Sequence, residues 1–233
     1  MSAGRHAHRR DILYSGPALE NLEDIWPVFS DIAISIILFL IFMLVAQFLE
    51  LSQVFDTFAR KRMQQTIWQS LDRNPYFHDL IQGGNLTMTV HGTLQRFGFA
   101  SDIVFVLGEA DLQSRGREVL TQFARFLSAQ GPPDLYIEVE GHTDRIPVTS
   151  GRYRDNWELS AERALTVVRL FQQLSADPAS GVTFNPQNIS AIGYGEFRPL
   201  EDKNESFLNR RIEIRLDYSK IPIRSGNTPA GTN

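Results

Sequence analysis

Between Asp31 and Glu50 the chain runs through 18 consecutive residues without a charge, IAISIILFLIFMLVAQFL. Counted back to Pro27, 23 residues carry one ionisable side chain, Asp31. As a helix this stretch is roughly 35 Å long, against a hydrocarbon core of about 30 Å. Its apolar residues lie all round the helix, which argues against a soluble helix packed by one stripe. A cleaved signal peptide would have a shorter apolar region ending in small residues, and Gln47-Phe48-Leu49-Glu50-Leu51 offers no such site. The reading is a segment 1–26 followed by one transmembrane helix over 27–49. Arg5, Arg9 and Arg10 before the span are matched by Arg60, Lys61 and Arg62 after it, so basic-residue bias does not orient it. Long polar domains cross membranes largely regardless of charge. A short cytoplasmic N-terminus and an exported C-terminal domain are therefore the simpler arrangement.

The remaining composition is that of a folded protein, with 42% apolar and 21% charged residues among 233. A net charge of −4 excludes a protein devoted to gripping nucleic acid. The absence of cysteine removes disulfides, thiolate metal sites and a cysteine nucleophile. Asp31 is the unusual residue. If Pro27 opens the helix, Asp31 lies about one turn inside the apolar segment. There it either complements the helix dipole at headgroup level or serves as a proton-exchanging carboxyl sheltered by a membrane partner.

After the span, Leu51, Val54, Phe55 and Phe58, then Ile67, Trp68 and Leu71, recur at helical spacing. The helix should end before Asn74-Pro75, and residues 50–82 read as a linker, either a plain spacer or a plug. From Gly83 the pattern changes to an α+β domain over 83–218. Leu86 to Val90 and Gln95 to Phe99 form a hairpin, and Ile103 to Val106 is an apolar run. A helix follows with Leu112, Val119, Leu120, Phe123 and Leu127 on its apolar face, then a strand from Leu135 to Glu140. A helix from Trp157 to Leu174, a strand from Ile189 to Ile192, a loop with a short helix, and a strand from Arg211 to Asp217 complete it. Residues 219–233, rich in Pro, Gly, Ser, Thr and Asn, read as a disordered tail.

The loop after the Leu135 strand reads GHTDRIP from Gly141 to Pro147, and the next helix begins Asp155-Asn156-Trp157-Glu158. Asp155 and Glu158 have capping-box spacing. Asn156 and Arg163, seven residues apart, share a helix face. Asp144 at a strand end and Arg163 on that helix would suit a zwitterionic ligand, the acid taking an ammonium and the guanidinium a carboxylate. An internal salt bridge would use the same two residues.

These segments carry a resemblance. GHTD, then NWELSAERA from Asn156, GYGEFRP from Gly193 and NRRIEIRL from Asn209 resemble, in order across 102–218, the OmpA-like peptidoglycan-binding domain. The proline after GHTD and the NWELS helix start are similar to flagellar stator B subunits (MotB-like proteins). The resemblance implies a mixed βαβα sheet domain that binds the peptide stem of peptidoglycan noncovalently. Asp144 and Arg163 then stand at the positions that hold the diamino acid, with Thr143, Asn156, Leu159 and Arg210 shaping the site. It also implies an inner-membrane, single-pass homodimer inside a multi-span MotA-like ring, with Asp31 as ion carrier behind Trp26. Phe29-Ser30-Asp31 followed by Ile32-Ala33-Ile34-Ser35 departs from the flagellar Tyr-Ala-Asp pattern and fits the stator-like B subunit of the Zorya anti-phage system. Flagellar and defence outputs therefore both stand, beside a passive membrane-tethered anchor without ion flow.

Enzyme chemistry has no support in the pattern. Of the five histidines, His142 lacks a second ligand at helical or hairpin spacing, so no metal is expected. The serines show no nucleophile elbow, and Gly193-Tyr194-Gly195 is too short for a dinucleotide fingerprint. No cofactor is expected.

Overall fold

The computed structural model describes residues 25–132, 134–149, 151–200 and 207–221. The chain divides into two compact units, residues 1–55 and 56–233. The segment 1–24 lies outside the described residues, so the reading of a cytoplasmic start does too.

Helix α1, Ile25–Arg73, is continuous over 49 residues, and Arg60-Lys61-Arg62 does not interrupt it. Within the first unit its apolar side chains are exposed on all sides, from Val28 and Ile32 to Leu49 and Phe55. It is the one helix among the described residues long and apolar enough to cross a membrane. The expected end before Asn74 holds: α1 stops at Arg73, and Asn74 Oδ1 accepts from Tyr76 N (3.0 Å) to cap a further helix, α2, Pro75–Gln82. Proline at its first position is placed where its missing N–H costs nothing.

The second unit starts earlier than residue 83. Ile67 and Leu71 of α1 and Phe77 and Leu80 of α2 are buried in its core, so much of 50–82 is packed structure and not linker. Gln64 joins them, donating to Gly92 O (3.2 Å), while Gln95 Nε2 donates to Gln64 O (3.1 Å).

The sheet is mixed and five-stranded. It comprises β1 Leu86–His91, β2 Leu94–Ala100, β3 Tyr136–His142, β4 Ile189–Gly193 and β5 Arg211–Asp217, in the order β1-β2-β5-β3-β4. Strands β3 and β4 run parallel and the other neighbours antiparallel. The expected hairpin is β1–β2, turning at Gly92 (φ 60°). The run Ile103 to Val106 divides between a one-turn helix α3, Ser101–Val104, and a bridge from Phe105 to Leu112. Helix α4 spans Ser114–Gln130, leaving Leu112 outside it, and α5 spans Asn156–Ala176.

Alternation decides the faces. Phe97, Phe99, Ile137, Val139, Ile212, Ile214 and Leu216 meet the helices, among them Val119, Leu120 and Phe123 of α4 and Val167 and Phe171 of α5. Phe123 is the hub, its ring 5.0 Å from Phe99, 5.1 Å from Phe97 and 6.1 Å from Phe77. The other face carries Arg96, Glu138, Glu140, His142, Glu213 and Arg215. At the C-terminal end, Tyr218–Lys220 form a 3₁₀ turn, and Tyr218 and Ile221 are core residues. Residues 219–221, expected to be tail, are therefore folded, and the rest of that stretch, 222–233, lies outside the described residues.

Candidate functional site

Two glycines set the site. Strands β3 and β4 end at the level where α5 crosses them, and α5 lies so close that a Cβ on Gly141 would stand 2.0 Å from Ser160 O. One on Gly193 would stand 2.5 Å from Ala161 N. The contact is closed by Gly195 N donating to Ser160 Oγ (2.9 Å). The first turn of α5 thereby lies beside the loop leaving β3. Asp155 caps α5 through Glu158 N (2.8 Å), while Glu158 reaches back to Arg154 N (2.6 Å), a capping box displaced by one residue.

The loop and α5 enclose a cavity of about 430 Å³. All six residues that the resemblance assigns to peptidoglycan line it: Thr143, Asp144, Asn156, Leu159, Arg163 and Arg210. Asp144 is 6% exposed, its Oδ2 accepting from Arg210 (2.7 Å) and its Oδ1 from Ile146 N (3.2 Å). The Asn156 amide donates to Asp144 O (3.2 Å), Ile146 O (3.0 Å) and Glu196 Oε2 (2.8 Å), fixing the loop to the helix. Arg163 is 4% exposed, donates through Nε to Glu109 O (2.9 Å), and lies over the Phe105 ring at 5.2 Å. Burial pulls its pKa down to about 10, so it remains a cation at neutral pH. The internal salt bridge that the sequence left open is made with Arg210, not Arg163. Two hydroxyls in the wall, Ser101 Oγ and Thr143 Oγ1, are buried without a hydrogen-bond partner.

Sequence reasoning missed one wall. Ser101, Asp102, Phe105 and the loop to Gln113 come from the other side of the sheet order and supply the Glu109 carbonyl that holds Arg163. That loop is tied to the segment ahead of α5: Ala110 N donates to the Tyr153 hydroxyl (3.1 Å), and Arg152 pairs with Glu109 (3.0 Å) and Asp111 (2.6 Å). No local pattern announces these contacts. Asp31 stands in the first unit on α1, where Ser35 Oγ donates to its carbonyl (2.7 Å).

His142, set aside for want of a second ligand along the chain, acquires neighbours across strands. Register places Glu140 opposite Glu213, and His142 Nε2 lies 3.8 Å from Glu140 and 4.0 Å from Glu213. The three offer ligand atoms within 4.8 Å of one another, a spacing a cation would accept. Arginines already answer these carboxylates: Arg211 bonds Glu213 (2.5 Å), Arg215 lies 3.2 Å from Glu140, and Arg96 lies 3.7 Å and 3.6 Å from Glu140 and Glu213. The group is a balanced ion-pair layer under the site loop.

The model of the OmpA family matches residues 104–212. An uncharacterized protein of Bacillus subtilis, YtxE, is 36% identical over 121 residues, 51% of this chain and 46% of that protein. Motility protein B of Bacillus subtilis is 28% identical over 132 residues, 55% of this chain and 46% of that protein. The aligned part thus spans about half the length of these curated relatives. Among solved structures, a putative MotB-like protein from Desulfovibrio vulgaris superposes with a TM-score of 0.54 at 24% identity, covering 68% of this chain and 98% of that one. The cell wall anchor of the T6SS from Pseudomonas aeruginosa gives 0.51 at 24% identity, covering 63% and 96%. Both share the fold of the second unit.

Proposed function

We propose, from the match of residues 104–212 to the OmpA family, that the chain is a peptidoglycan-anchored, stator B-type subunit of the bacterial inner membrane. One observation carries the anchoring role: a buried acid and a buried guanidinium, Asp144 and Arg163, face one cavity that also holds two unpartnered hydroxyls. In the loaded site the ammonium of a stem diamino acid replaces Arg210 at Asp144. Arg163, held through Nε, turns its terminal nitrogens to the carboxylate in a two-bond grip. Ser101 and Thr143 complete the ligand's hydrogen bonds, and Leu159 and Phe105 exclude water from the charged contacts. No covalent step is involved.

The helix over 27–49 supplies the membrane anchor, with the N-terminus cytoplasmic and the second unit periplasmic. Two copies stand inside a ring of a multi-span MotA-like partner, and protons cross the membrane through Asp31. Anchoring to the wall turns ring rotation into work, delivered as flagellar rotation or as anti-phage defence.

Sedimentation with isolated sacculi tests the anchor: Asp144→Ala and Arg163→Ala should each lower binding at least about tenfold. Unchanged sedimentation removes the ligand site. Proton flux in cells co-expressing the ring partner tests the motor, and Asp31→Asn should abolish it with assembly intact. An assembled complex that conducts in neither form makes the chain a passive anchor.

A further inference from the structure

The cavity wall formed by Val106, Leu107 and Gly108 belongs to a loop of turns and bends between the bridged residues Phe105 and Leu112. Inside the loop, Val106 N donates to Asp111 O (2.9 Å) and Glu109 N to Val106 O (3.0 Å). Its outer side is gripped by the segment ahead of α5. Arg152 Nη1 donates to Glu109 Oε2 (3.0 Å) and Asp111 Oδ2 (2.6 Å), and Nη2 donates to Asp111 Oδ1 (3.4 Å). Between those two acids, Ala110 N donates to the Tyr153 hydroxyl (3.1 Å). Ala110 and Tyr153 form a small buried cluster with Leu159, which itself lines the cavity.

An exposed ion pair by itself stabilises a fold little, because long side chains must be ordered in water to make it. This one matters for what lies between its acids. The Glu109 carbonyl and the Ala110 N–H belong to one planar peptide group and point opposite ways. Tyr153 holds the N–H end, and the carbonyl end accepts from Nε of Arg163, which is 4% exposed. Arg152 clamps the side chains on both flanks of that peptide. We infer that Arg152 is a positioning residue for ligand binding: it fixes the Glu109–Ala110 peptide plane, so that Arg163 is held through Nε and its terminal nitrogens serve the ligand carboxylate. The inference rests on the stem-binding reading above and deepens it. Without the clamp the peptide plane rocks, and the guanidinium fork loses the fixed orientation that a two-bond grip requires.

The test uses the full chain in detergent micelles, with calorimetry against the tripeptide L-Ala-γ-D-Glu-diaminopimelate and hydrogen exchange over residues 106–111. At low salt Arg152→Gln should weaken the tripeptide about fivefold. In about 0.5 M NaCl, where exposed pairs are screened, the deficit should shrink below about twofold. Arg152→Lys should recover part of the affinity, since an ammonium keeps the charge without the fork. Exchange of the loop amides should rise about fivefold in Arg152→Gln at low salt, with the urea midpoint unchanged. Unaltered affinity in Arg152→Gln overturns the positioning role. So does a deficit equal at both salt concentrations, or one that follows a lowered urea midpoint, either of which makes Arg152 a general stabiliser. If the tripeptide fails to bind the unaltered protein, the stem reading fails, and loop exchange then decides the clamp by itself: exchange unchanged by Arg152→Gln overturns it.

Discussion

Replacing Gly141 by alanine adds one methyl group where the second unit has least room for it. The new Cβ would lie 2.0 Å from Ser160 O, 2.8 Å from Ser160 C and 3.2 Å from Ser160 Cα, all backbone of α5. A relaxed contact needs about 3.3 Å or more, so α5 must back away by roughly 1 Å. No flexible side-chain end is available to yield. Overpacking costs about 1–3 kcal/mol where side chains can adjust, and with rigid backbone on both sides the expected loss is about 3 kcal/mol. For a unit of this size that lowers the melting temperature by roughly 6–12 °C. The same displacement carries Asn156, Leu159 and Arg163 away from Asp144, so binding to sacculi should fall at least about tenfold even where the protein is folded. Urea unfolding and sedimentation read the two effects. Gly151→Ala is the control, since nothing lies within 4 Å of its Cβ position and its φ is not in the left-handed range; it should be neutral or slightly stabilising. A Gly141→Ala protein within about 1 kcal/mol of the unaltered one would refute the view that this glycine seats the site helix.

Stability should also depend on His142. Burial first, then the Arg211 guanidinium, push its pKa down to about 3, against about 6.5 unfolded. Arg198 and Arg96 act in the same direction and Glu213 opposes them, with Glu140 and the stacked Tyr194 also facing the ring. The unfolded chain takes up a proton that the native state refuses, so stability falls as pH drops from about 6.5 toward 3, by up to about 1.4 kcal/mol per unit. His142→Gln should flatten that part of a pH series of urea midpoints. Tyr218→Phe removes the hydroxyl that donates to buried Gln95 Oε1 (2.7 Å) and should cost about 1–3 kcal/mol in urea unfolding. Asp155→Ala removes the α5 cap and should cost about 1 kcal/mol, with a smaller loss in Asp155→Asn.

Much of the second unit was readable because its signals are local. In Arg211–Asp217, alternation of Ile212, Ile214 and Leu216 with charged residues specifies a strand with one buried face, and the structure has that strand with those bounds. The apolar run after Asp31 specifies a helix through its length and lack of charge. The Asp155–Glu158 spacing marks the start of α5 one residue before the expected Trp157. The resemblance in GHTD and NWELSAERA brought Asp144 and Arg163 forward as a pair, and tertiary structure lines one cavity with both.

Other features depend on pairings between distant segments, which no short-range pattern encodes. The helical period of Ile67 and Leu71 announces an apolar face, but not that α1 delivers it to the core of the second unit. Leucine and isoleucine spacing is the same whether a helix ends as spacer or as core. The grouping of Glu140, His142 and Glu213 exists because β3 and β5 pair in one particular register, and a shift of one residue would send Glu213 to the helix side. The Glu109 carbonyl that orients Arg163 is a backbone group, present in every residue and therefore invisible in the sequence. The chain alone determined periodicity, caps and the charge-free span, because these are properties of neighbouring residues. Strand order, the close approach of α5 and the completed cavity were decided by the fold, because only packing brings Phe105, Asp144, Arg163 and Arg210 around one cavity.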